Sequence, residues 1–217
     1  MAIFCHITSY IAIATTAFSK TKKLYRMKKM VFLSLALLPL AGATLMAQTN
    51  AALKVVIIRH GEKPDSGDNL SCKGQYRALK LADVLTKQIG KPDFTYVPTI
   101  GTGKAATTSA RMFQTVSPFA IKHNLIVNSS FKETKVSAAA ADVLTRRGLV
   151  LMVWEHGNIP PLAKALGVPA AQVPSKWKGH DFDSIWTIEF EQTAAGGLQF
   201  LSFDTKGKEG IVPPACN

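Results

Sequence analysis

The sequence predicts an α/β fold, a three-layer αβα sandwich around a mostly parallel central sheet. Two segments, residues 54–58 (KVVII) and 149–154 (LVLMVW), are continuous apolar runs, which is typical of strands that are buried on both faces of a parallel sheet. Segments with a helical spacing of apolar residues alternate with these runs. The 217 residues are 47% hydrophobic and 18% charged, which excludes a disordered chain and a collagen-like chain.

A leader precedes the predicted fold. Residues 27–47 (MKKMVFLSLALLPLAGATLMA) place two lysines before a short apolar stretch and then small residues, the pattern of a secretory signal peptide. Cleavage after Ala43 or after Ala47 fits the pattern. The stretch contains Pro39 and is shorter than the ~20 apolar residues that span a bilayer. We therefore expect no stable membrane span after cleavage, with a retained N-terminal anchor as the alternative.

The beginning of the chain leaves a second choice. Met27 resembles a start residue, so residues 1–26 are either a mis-called extension or an unusually long segment ahead of the signal peptide. In both cases we assign residues 1–47 to the leader and residues 48–217 to a single domain. The leader predicts an exported protein, located in the periplasm or outside the cell.

The leader also changes the meaning of the charge. The chain has 26 bases and 14 acids, a net charge of +12, but six of the bases and none of the acids lie in residues 1–47. The remaining domain therefore has 20 bases against 14 acids, a net charge of +6. It contains no recognisable nucleic-acid module and no basic stripe with interleaved aromatic residues, so we expect no nucleic-acid partner.

The first units of the fold are a strand, a helix and a second strand. Residues 54–58 form the first strand, and residues 65–71 are a polar loop. A helix over residues 73–89 is predicted because apolar residues recur at a spacing of three or four, at Ala78, Leu81, Ala82, Leu85 and Ile89. Gly90 ends this helix, and a short strand follows at residues 94–98.

The later units continue the alternation. Helical spacing predicts three further helices, at residues 109–120, 136–147 and 159–166, and apolar runs predict strands at residues 125–127 and 149–154. Pro118 is expected to break or kink the first of these helices, and Gly148 to stop the second. Residues 184–190 and 198–204 alternate strictly on either side of Gly196-Gly197, which predicts an antiparallel hairpin.

Export bears on the cysteines. Cys72 and Cys216 are the two cysteines of the predicted mature domain. Cysteines outside the cytoplasm often pair, so a Cys72–Cys216 disulfide is expected, and two free thiols are the alternative. The disulfide would hold the C-terminal tail against an early loop.

Two tetrapeptides stand where a parallel sheet binds its ligands. Arg59-His60-Gly61-Glu62 directly follows the first predicted strand, and Glu155-His156-Gly157-Asn158 directly follows the strand at residues 149–154. Ligands of open α/β sheets bind at the carboxyl ends of the strands, and glycine lets the backbone approach a ligand closely. These segments are therefore candidates for a shared site.

The order of these motifs resembles the histidine phosphatase (phosphoglycerate mutase-like) superfamily. Residues 70–78 (LSCKGQYRA) are similar to the segment that opens the family's first helix, and residues 109–115 (SARMFQT) to the segment with its second phosphate-binding arginine. Residues 154–166 are similar to the stretch around and after the second histidine, so the resemblance covers most of residues 54–167.

The resemblance implies a phosphohistidine enzyme. His60 would attack phosphorus and form a covalent intermediate that water hydrolyses. Arg59 and Arg111 would bind phosphate oxygens through their planar guanidinium groups, and His156 would donate a further hydrogen bond. Such a site needs no metal and no other cofactor, because its cationic side chains supply the positive charge.

The acid that protonates the leaving oxygen stays open among three glutamates. Glu155 precedes the second histidine but reaches the site only if the chain turns there, and otherwise it forms an ion pair with a nearby base. Glu133 lies broadly where phosphoglycerate-mutase-type relatives have their acid, although its surroundings match poorly. Glu62 follows the first motif and is expected to orient a partner. Gly61, Glu62, Gly157 and Asn158 are the candidate substrate-binding residues, with Asn158 alternatively capping the next helix.

These expectations combine into one function with two alternatives. We expect an exported phosphomonoester hydrolase that acts on a small phosphorylated substrate through a phosphohistidine at His60. A non-catalytic phosphate- or phosphoglycan-binding protein of the cell envelope is the first alternative, and a phosphomutase is the second. The sequence leaves the oligomeric state open.

Overall fold

The computed structural model describes residues 52–105 and 107–216. The predicted leader and the start of residues 48–217 lie outside the described residues. Within them, no helix combines the length and the apolar character needed to cross a membrane.

A six-stranded sheet forms the centre of the described residues, in the order β3-β2-β4-β1-β5-β6. The strands are β1 Leu53–Arg59, β2 Phe94–Pro98, β3 Val127–Phe131, β4 Gly148–Trp154, β5 Ser184–Gln192 and β6 Leu198–Lys208. The helices are α1 Cys72–Gln88, α2 Ala110–His123, α3 Val136–Val143 and α4 Ile159–Ala165, and a short 3-10 turn spans Gly103–Ala105. Strands and helices alternate as far as α4, as the sequence predicts.

The predicted mixed sheet is confirmed. β1 pairs in parallel with β4 along its whole length, from Leu53 opposite Gly148 to Arg59 opposite Trp154. β2 is parallel to both β3 and β4. On the other side of β1, β5 and then β6 add antiparallel. The continuous apolar runs of β1 and β4 thus lie at the middle of the sheet, where both faces are buried.

Helices cover both faces of the sheet, which confirms the three-layer arrangement. Successive residues of β1 point to opposite faces, so Val55 and Ile57 belong to one core, while Val56 and Ile58 belong to the other. The core with Val55 and Ile57 contains the buried residues of α3 and α4, and the opposite core contains those of α1 and α2.

α1 spans Cys72–Gln88, within one residue of its predicted bounds at each end. Ser71 is its N-cap, where the Ser71 hydroxyl accepts a hydrogen bond of 3.2 Å from the Gly74 amide. The predicted apolar face is buried at Ala78, Leu81, Ala82 and Leu85. The helix ends at Gln88, and Gly90 follows with a positive φ of 78° that glycine adopts without strain.

The predicted strand at residues 125–127 is placed too early in the chain, since only Val127 belongs to a strand. α2 continues through Pro118 to His123, and Asn124 caps it in the left-handed conformation with φ of 49°. The Leu125 amide then bonds to the Ala120 carbonyl, so this segment belongs to the helix end. β3 starts at Val127 and runs through the polar sequence VNSSF. Because β3 is an edge strand with no fully buried residue, it has no apolar run to reveal it.

The predicted helix at residues 136–147 is too long. α3 ends at Val143, and the next residues form tight turns in which the amides of Thr145 and Arg146 bond to carbonyls three residues earlier. Arg146 folds back to donate two hydrogen bonds to the Asp142 carboxylate. Gly148, expected as the helix stop, is the first residue of β4.

The predicted hairpin is confirmed and is longer than expected. β5 extends to Gln192 and β6 to Lys208, with Gly196 in the turn at a positive φ of 83°. β6 is the edge strand, and its side chains alternate between half-buried and exposed. The extension places Glu209 directly after the sheet, where it is buried.

The C-terminal tail is held to the start of α1. Cys72 and Cys216 form a disulfide with Cα atoms 6.0 Å apart, the pairing that the sequence analysis expected. Cys72 is the first residue of α1. The bond therefore brings the tail to the same edge of the sheet at which β1 ends.

Candidate active site

The two predicted tetrapeptides meet because β1 and β4 are neighbours. Arg59 and Trp154 are register partners at the ends of these strands, and the His60 amide donates a hydrogen bond of 3.2 Å to the Trp154 carbonyl. His60 therefore stands beside Glu155 and His156 at the carboxyl edge of the sheet. This is the position at which open α/β sheets bind their ligands.

The His60 ring is held as a neutral imidazole with a free Nε2. Its Nδ1 lies 2.6 Å from the Gly61 carbonyl oxygen, which only accepts, so Nδ1 carries the proton and Nε2 has the lone pair. The side chain is buried, with 3% exposed. Burial lowers the pKa of His60 to about 3, and the nearby charges of Arg59, Arg111 and His156 act in the same direction.

Close contact with α1 and α2 fixes the loop after β1. A Cβ atom on Gly61 would lie 3.0 Å from the Gly74 carbonyl oxygen, and one on Gly74 would overlap the Glu62 backbone. The amide and hydroxyl of Ser71 both donate to the Glu62 carbonyl. From the other side, the Gly61 amide donates to the Thr115 hydroxyl over 2.8 Å. Two helices thus determine where the histidine ring stands.

Arg59 is buried and partly committed to a loop. Its Nη1 donates to the Gly179 carbonyl over 2.7 Å and to the Asp181 carbonyl over 3.2 Å. The guanidinium stacks on Phe182, 3.7 Å from the ring centre. Burial lowers the pKa of Arg59 to about 10, so the side chain keeps its charge at neutral pH. Its Nε is buried and has no hydrogen-bond partner.

Arg111, in the first turn of α2, approaches the loop after β1. Its Nη1 donates to the Asp68 carbonyl over 3.1 Å, and its Nε is buried without a partner. The Thr115 hydroxyl, which accepts from Gly61, donates in turn to the Arg111 carbonyl over 2.7 Å. One chain of hydrogen bonds therefore connects Arg111 to the loop that contains His60.

His156 and Glu155 face each other despite being adjacent in sequence. Nδ1 of His156 lies 2.5 Å from Oε1 of Glu155, an ion-pair distance, although the contact does not qualify as a hydrogen bond. Oε2 of Glu155 accepts from the amide and from the side-chain nitrogen of Asn158, each over 3.1 Å. Burial and the charge of Arg59 lower the pKa of His156. Asn158 is the N-cap residue of α4, but its side chain makes no capping hydrogen bond. Gly157 lies against the Glu155 carboxylate.

Glu133 lies on the loop between β3 and α3, near the same edge. Its carboxylate accepts a long hydrogen bond of 3.3 Å from the Ser109 hydroxyl, and its carbonyl accepts from the Trp154 indole over 2.9 Å. Glu133 lines a cavity of about 330 Å³ together with residues of the loop at 99–109. Glu133 therefore borders an open cavity at this edge.

Unpaired polar atoms concentrate at these residues. Within residues 52–105 and 107–216, five buried side-chain nitrogen or oxygen atoms have no hydrogen-bond partner. Four of the five belong to predicted site residues, and they are Arg59 Nε, Glu62 Oε2, Arg111 Nε and His156 Nδ1. Buried polar groups are normally paired, so this concentration is typical of a site whose partner is a ligand.

Comparisons with known proteins find structural likeness only. No family model matches the chain, and no curated protein sequence matches it. Among solved structures, the mycobacterial glucosyl-3-phosphoglycerate phosphatase is similar with a TM-score of 0.50 and 16% identity, over 70% of this chain and 97% of that chain. A structure described as mycobacterial hydrolase 2 is similar with a TM-score of 0.50 and 14% identity, over 73% of this chain and 92% of that chain.

The chain has the histidine phosphatase fold. The phosphohistidine phosphatase SixA of Agrobacterium tumefaciens also matches, with a TM-score of 0.44 and 16% identity, over 70% of this chain and 97% of that chain. The two structures with a TM-score of 0.50 establish the fold, and the predicted fold class is confirmed.

Within this histidine phosphatase fold, sequence reasoning missed three residues beside the site. Arg77 on α1 is buried and donates to the Arg59 carbonyl, and Glu209 after β6 is its ionic partner. Phe182 forms the surface on which Arg59 stacks. Arg77 carried a signal, since it lies four residues before Leu81, on the apolar face of a helix where a base requires a partner. Glu209 and Phe182 carried none, because they lie in irregular segments.

Proposed function

We propose that the chain is an exported phosphomonoester hydrolase that acts through a phosphohistidine at His60. The observation that supports this most directly is that the buried Nε atoms of Arg59 and Arg111, near a neutral imidazole, have no hydrogen-bond partner. Cationic donors without partners are suited to a phosphate group, and a neutral imidazole with a free Nε2 is suited to attack it.

The first step transfers the phosphoryl group to His60. Nε2 of His60 forms a bond to phosphorus while the bond between phosphorus and the ester oxygen breaks. Nδ1 keeps its proton and donates it in a hydrogen bond to the Gly61 carbonyl oxygen. This hydrogen bond stabilises the positive charge that develops on the ring. Arg59, Arg111 and His156 stabilise the negative charge on the phosphoryl oxygens, so the proposed step requires no metal.

Glu133 is the proton donor that the contacts favour. The leaving oxygen needs a proton, and the donor must be free to hold one before the reaction. Both oxygens of Glu155 are engaged, one with Asn158 and the other beside His156, which suits a residue that positions His156. The Glu133 carboxylate has a single long hydrogen bond, and the residue lines a cavity.

The second step returns the enzyme to its starting state. Water attacks phosphorus, the bond between phosphorus and Nε2 of His60 breaks, and inorganic phosphate leaves. The Glu133 carboxylate, which lost its proton in the first step, accepts the proton of the attacking water. Each group therefore ends in its original protonation state.

Export is supported from two directions. Residues 27–47 have the pattern of a signal peptide, and Cys72 and Cys216 form a disulfide, a bond that persists in oxidising compartments. We propose a small phosphorylated substrate outside the cytoplasm. Mass spectrometry of the protein purified from an exporting host checks this part, since cleavage after Ala43 or Ala47 is expected.

Turnover of a chromogenic phosphomonoester tests the function. The full chain, expressed in an exporting host and purified, is expected to release p-nitrophenol from p-nitrophenyl phosphate with EDTA present. His60→Ala is expected to abolish this release, and rapid quenching of the wild type is expected to trap acid-labile phosphate on His60. Phosphate binding without turnover would overturn the hydrolase and favour the binding protein.

A further inference from the structure

We infer that Arg77 and Glu209 are positioning residues for the reaction at His60, and that they act by holding the backbone of Arg59. This inference rests on the proposed function. It assigns a role to a buried ion pair that the proposed chemistry does not use.

The contacts of Arg77 are divided between Glu209 and Arg59. Nε of Arg77 donates to Oε2 of Glu209 over 2.6 Å, and Nη2 donates to Oε1 of the same carboxylate. Nη1 and Nη2 also donate to the Arg59 carbonyl, each over 3.1 Å. Only 1% of Arg77 and 4% of Glu209 is exposed to solvent. The guanidinium therefore joins a tail residue to the peptide that connects Arg59 to His60.

The Arg59 carbonyl needs this donor because of where β1 ends. The pairing of β5 with β1 stops at Ile58, so the antiparallel ladder does not reach Arg59. The next peptide leads directly to His60, whose amide bonds to β4. An unpaired carbonyl at this point would let the peptide rotate, and the imidazole would rotate with it.

Glu209 fixes Arg59 from a second direction. The Glu209 amide donates to the Asp183 carbonyl over 2.8 Å. Asp183 directly follows the loop whose carbonyls and Phe182 ring hold the Arg59 side chain. One tail residue thus supports the Arg59 backbone through Arg77 and lies beside the loop that supports its side chain.

A buried ion pair contributes little net free energy to folding, so stability alone does not account for the Arg77–Glu209 pair. Removing two charges from water offsets much of their attraction, and apolar residues of similar volume often stabilise a core as well. A guanidinium, however, holds a carboxylate and a carbonyl at defined angles, which an apolar side chain does not do. The fork geometry of Arg77 is therefore suited to positioning.

The pair also makes the positioning sensitive to pH. Burial raises the pKa of Glu209 to about 7; the negative charges of Asp183 and Glu62 act in the same direction, and Arg77 opposes them. Arg77 contacts Glu209 from α1, and the Asp183 carbonyl contacts it from the segment before β5. Glu62 acts on Glu209 through its charge, from the loop after β1. Ionised Glu209 holds Arg77 best, so kcat is expected to rise as the pH increases through about 7.

Glu209→Gln tests the inference, because it keeps the shape and removes the charge. We expect kcat for p-nitrophenyl phosphate to fall roughly 10- to 100-fold with KM within about twofold, as expected for a small displacement of a reacting group. The rise of kcat near pH 7 is expected to disappear. The control is Asp142→Asn, which weakens a half-buried carboxylate–guanidinium pair with Arg146 and is expected to leave kcat, KM and the pH profile unchanged.

A second measurement needs no turnover. In histidine-labelled protein, the His60 ring resonances of the wild type are expected to shift near pH 7 with Glu209, and those of Glu209→Gln to lack this shift. If wild-type protein shows the shift but hydrolyses no phosphoester, the proposed function fails, and the ion pair is shown only to hold the His60 ring in place. If Glu209→Gln does not fold, Arg77→Lys carries the same measurements, since it keeps the charge and loses the fork. Unaltered His60 resonances and an unaltered kcat in a folded variant would overturn the inference.

Discussion

At the scale of single residues, the burial that keeps His60 neutral is expected to make the folded protein less stable at low pH. The pKa of His60 is lowered to about 3, whereas an unfolded chain has an ordinary histidine near 6.5. At a pH between these two pKa values, His60 is therefore protonated in the unfolded state and neutral in the folded state. The stability that neutral His60 contributes is complete above about pH 6.5 and is lost as the pH falls toward 3.

His60→Gln is therefore expected to resist acid better than the wild type. Relative to the variant, the wild type should lose about 3 kcal/mol of unfolding free energy between pH 7 and pH 4, an order-of-magnitude value from the shift of the His60 pKa. Denaturant unfolding of both proteins at pH 7, 5 and 4 measures this. Parallel loss of stability in the two proteins would mean that His60 titrates normally.

The two candidate acids make different predictions for leaving groups. Glu133→Gln is expected to lower kcat roughly 10²- to 10⁴-fold for an alkyl phosphate, whose leaving oxygen needs a proton. The same variant should barely affect p-nitrophenyl phosphate, whose phenolate leaves unaided. Glu155→Gln is expected to slow both substrates equally, because Glu155 acts through His156 and Asn158. Rates of phosphohistidine formation in a rapid-quench instrument separate the two patterns. If Glu155→Gln slowed only the alkyl phosphate, Glu155 and not Glu133 would be the proton donor.

At the scale of elements, the crossing of α1 and the loop after β1 is set by two glycines. Glycine inside a helix usually costs about 1 kcal/mol relative to alanine, so Gly74→Ala in α1 would ordinarily stabilise the protein. Here a Cβ on Gly74 overlaps the Glu62 backbone, and the loop with His60 must move. Gly74→Ala is therefore expected to lower both the unfolding free energy and kcat.

Gly197→Ala is the matched control for this substitution. An added Cβ at Gly197 meets no atom closer than the Thr193 hydroxyl at 3.4 Å, and the residue lies in the β5–β6 turn. Thermal unfolding and kcat of the two variants should separate clearly. A Gly74→Ala protein that is as stable and as active as Gly197→Ala would show that the crossing has room to spare.

Elements were predictable in proportion to their burial. β1 and β4 lie at the centre of the sheet, and most of their residues are buried. Their sequences are therefore continuous apolar runs, from which both strands were predicted. β3 is an edge strand with a polar sequence, and the end of α3 depends on contacts of Arg146 with Asp142 and Tyr96. Such contacts arise in the folded molecule and leave no periodic trace in the chain.

The site shows the same division. His60, Arg59 and His156 follow buried strands, so their places were predictable from the strands and their motifs. Arg77 and Glu209 are 132 positions apart, and only the return of β6 to the edge of the sheet brings Glu209 to α1. Their pairing was therefore beyond pattern analysis, although a base on the buried face of α1 indicated that some partner exists.

At the scale of the whole molecule, the tail is joined to α1 twice, by the Cys72–Cys216 disulfide and by the Arg77–Glu209 pair. The disulfide closes a loop with a sequence separation of 144, and it stabilises the fold mainly by restricting the conformations of the unfolded chain. The double variant Cys72→Ser with Cys216→Ser is expected to lose about 2–5 kcal/mol of unfolding free energy, as is typical for a native disulfide. Adding reductant should lower the unfolding midpoint of the wild type and leave that of the double variant unchanged.

The two links are expected to separate stability from catalysis. Glu209 is also held by Arg77 and by the Asp183 carbonyl, so it should keep its place in the folded state when the disulfide is absent. The cysteine double variant should therefore retain kcat within about twofold at a temperature where it is fully folded, despite its lower stability. Glu209→Gln should do the opposite and lower kcat even under conditions in which the variant is fully folded. Measuring kcat and denaturant unfolding for both variants decides the matter, because a kcat that fell with the disulfide alone would make the whole tail, and not the ion pair, responsible for holding His60.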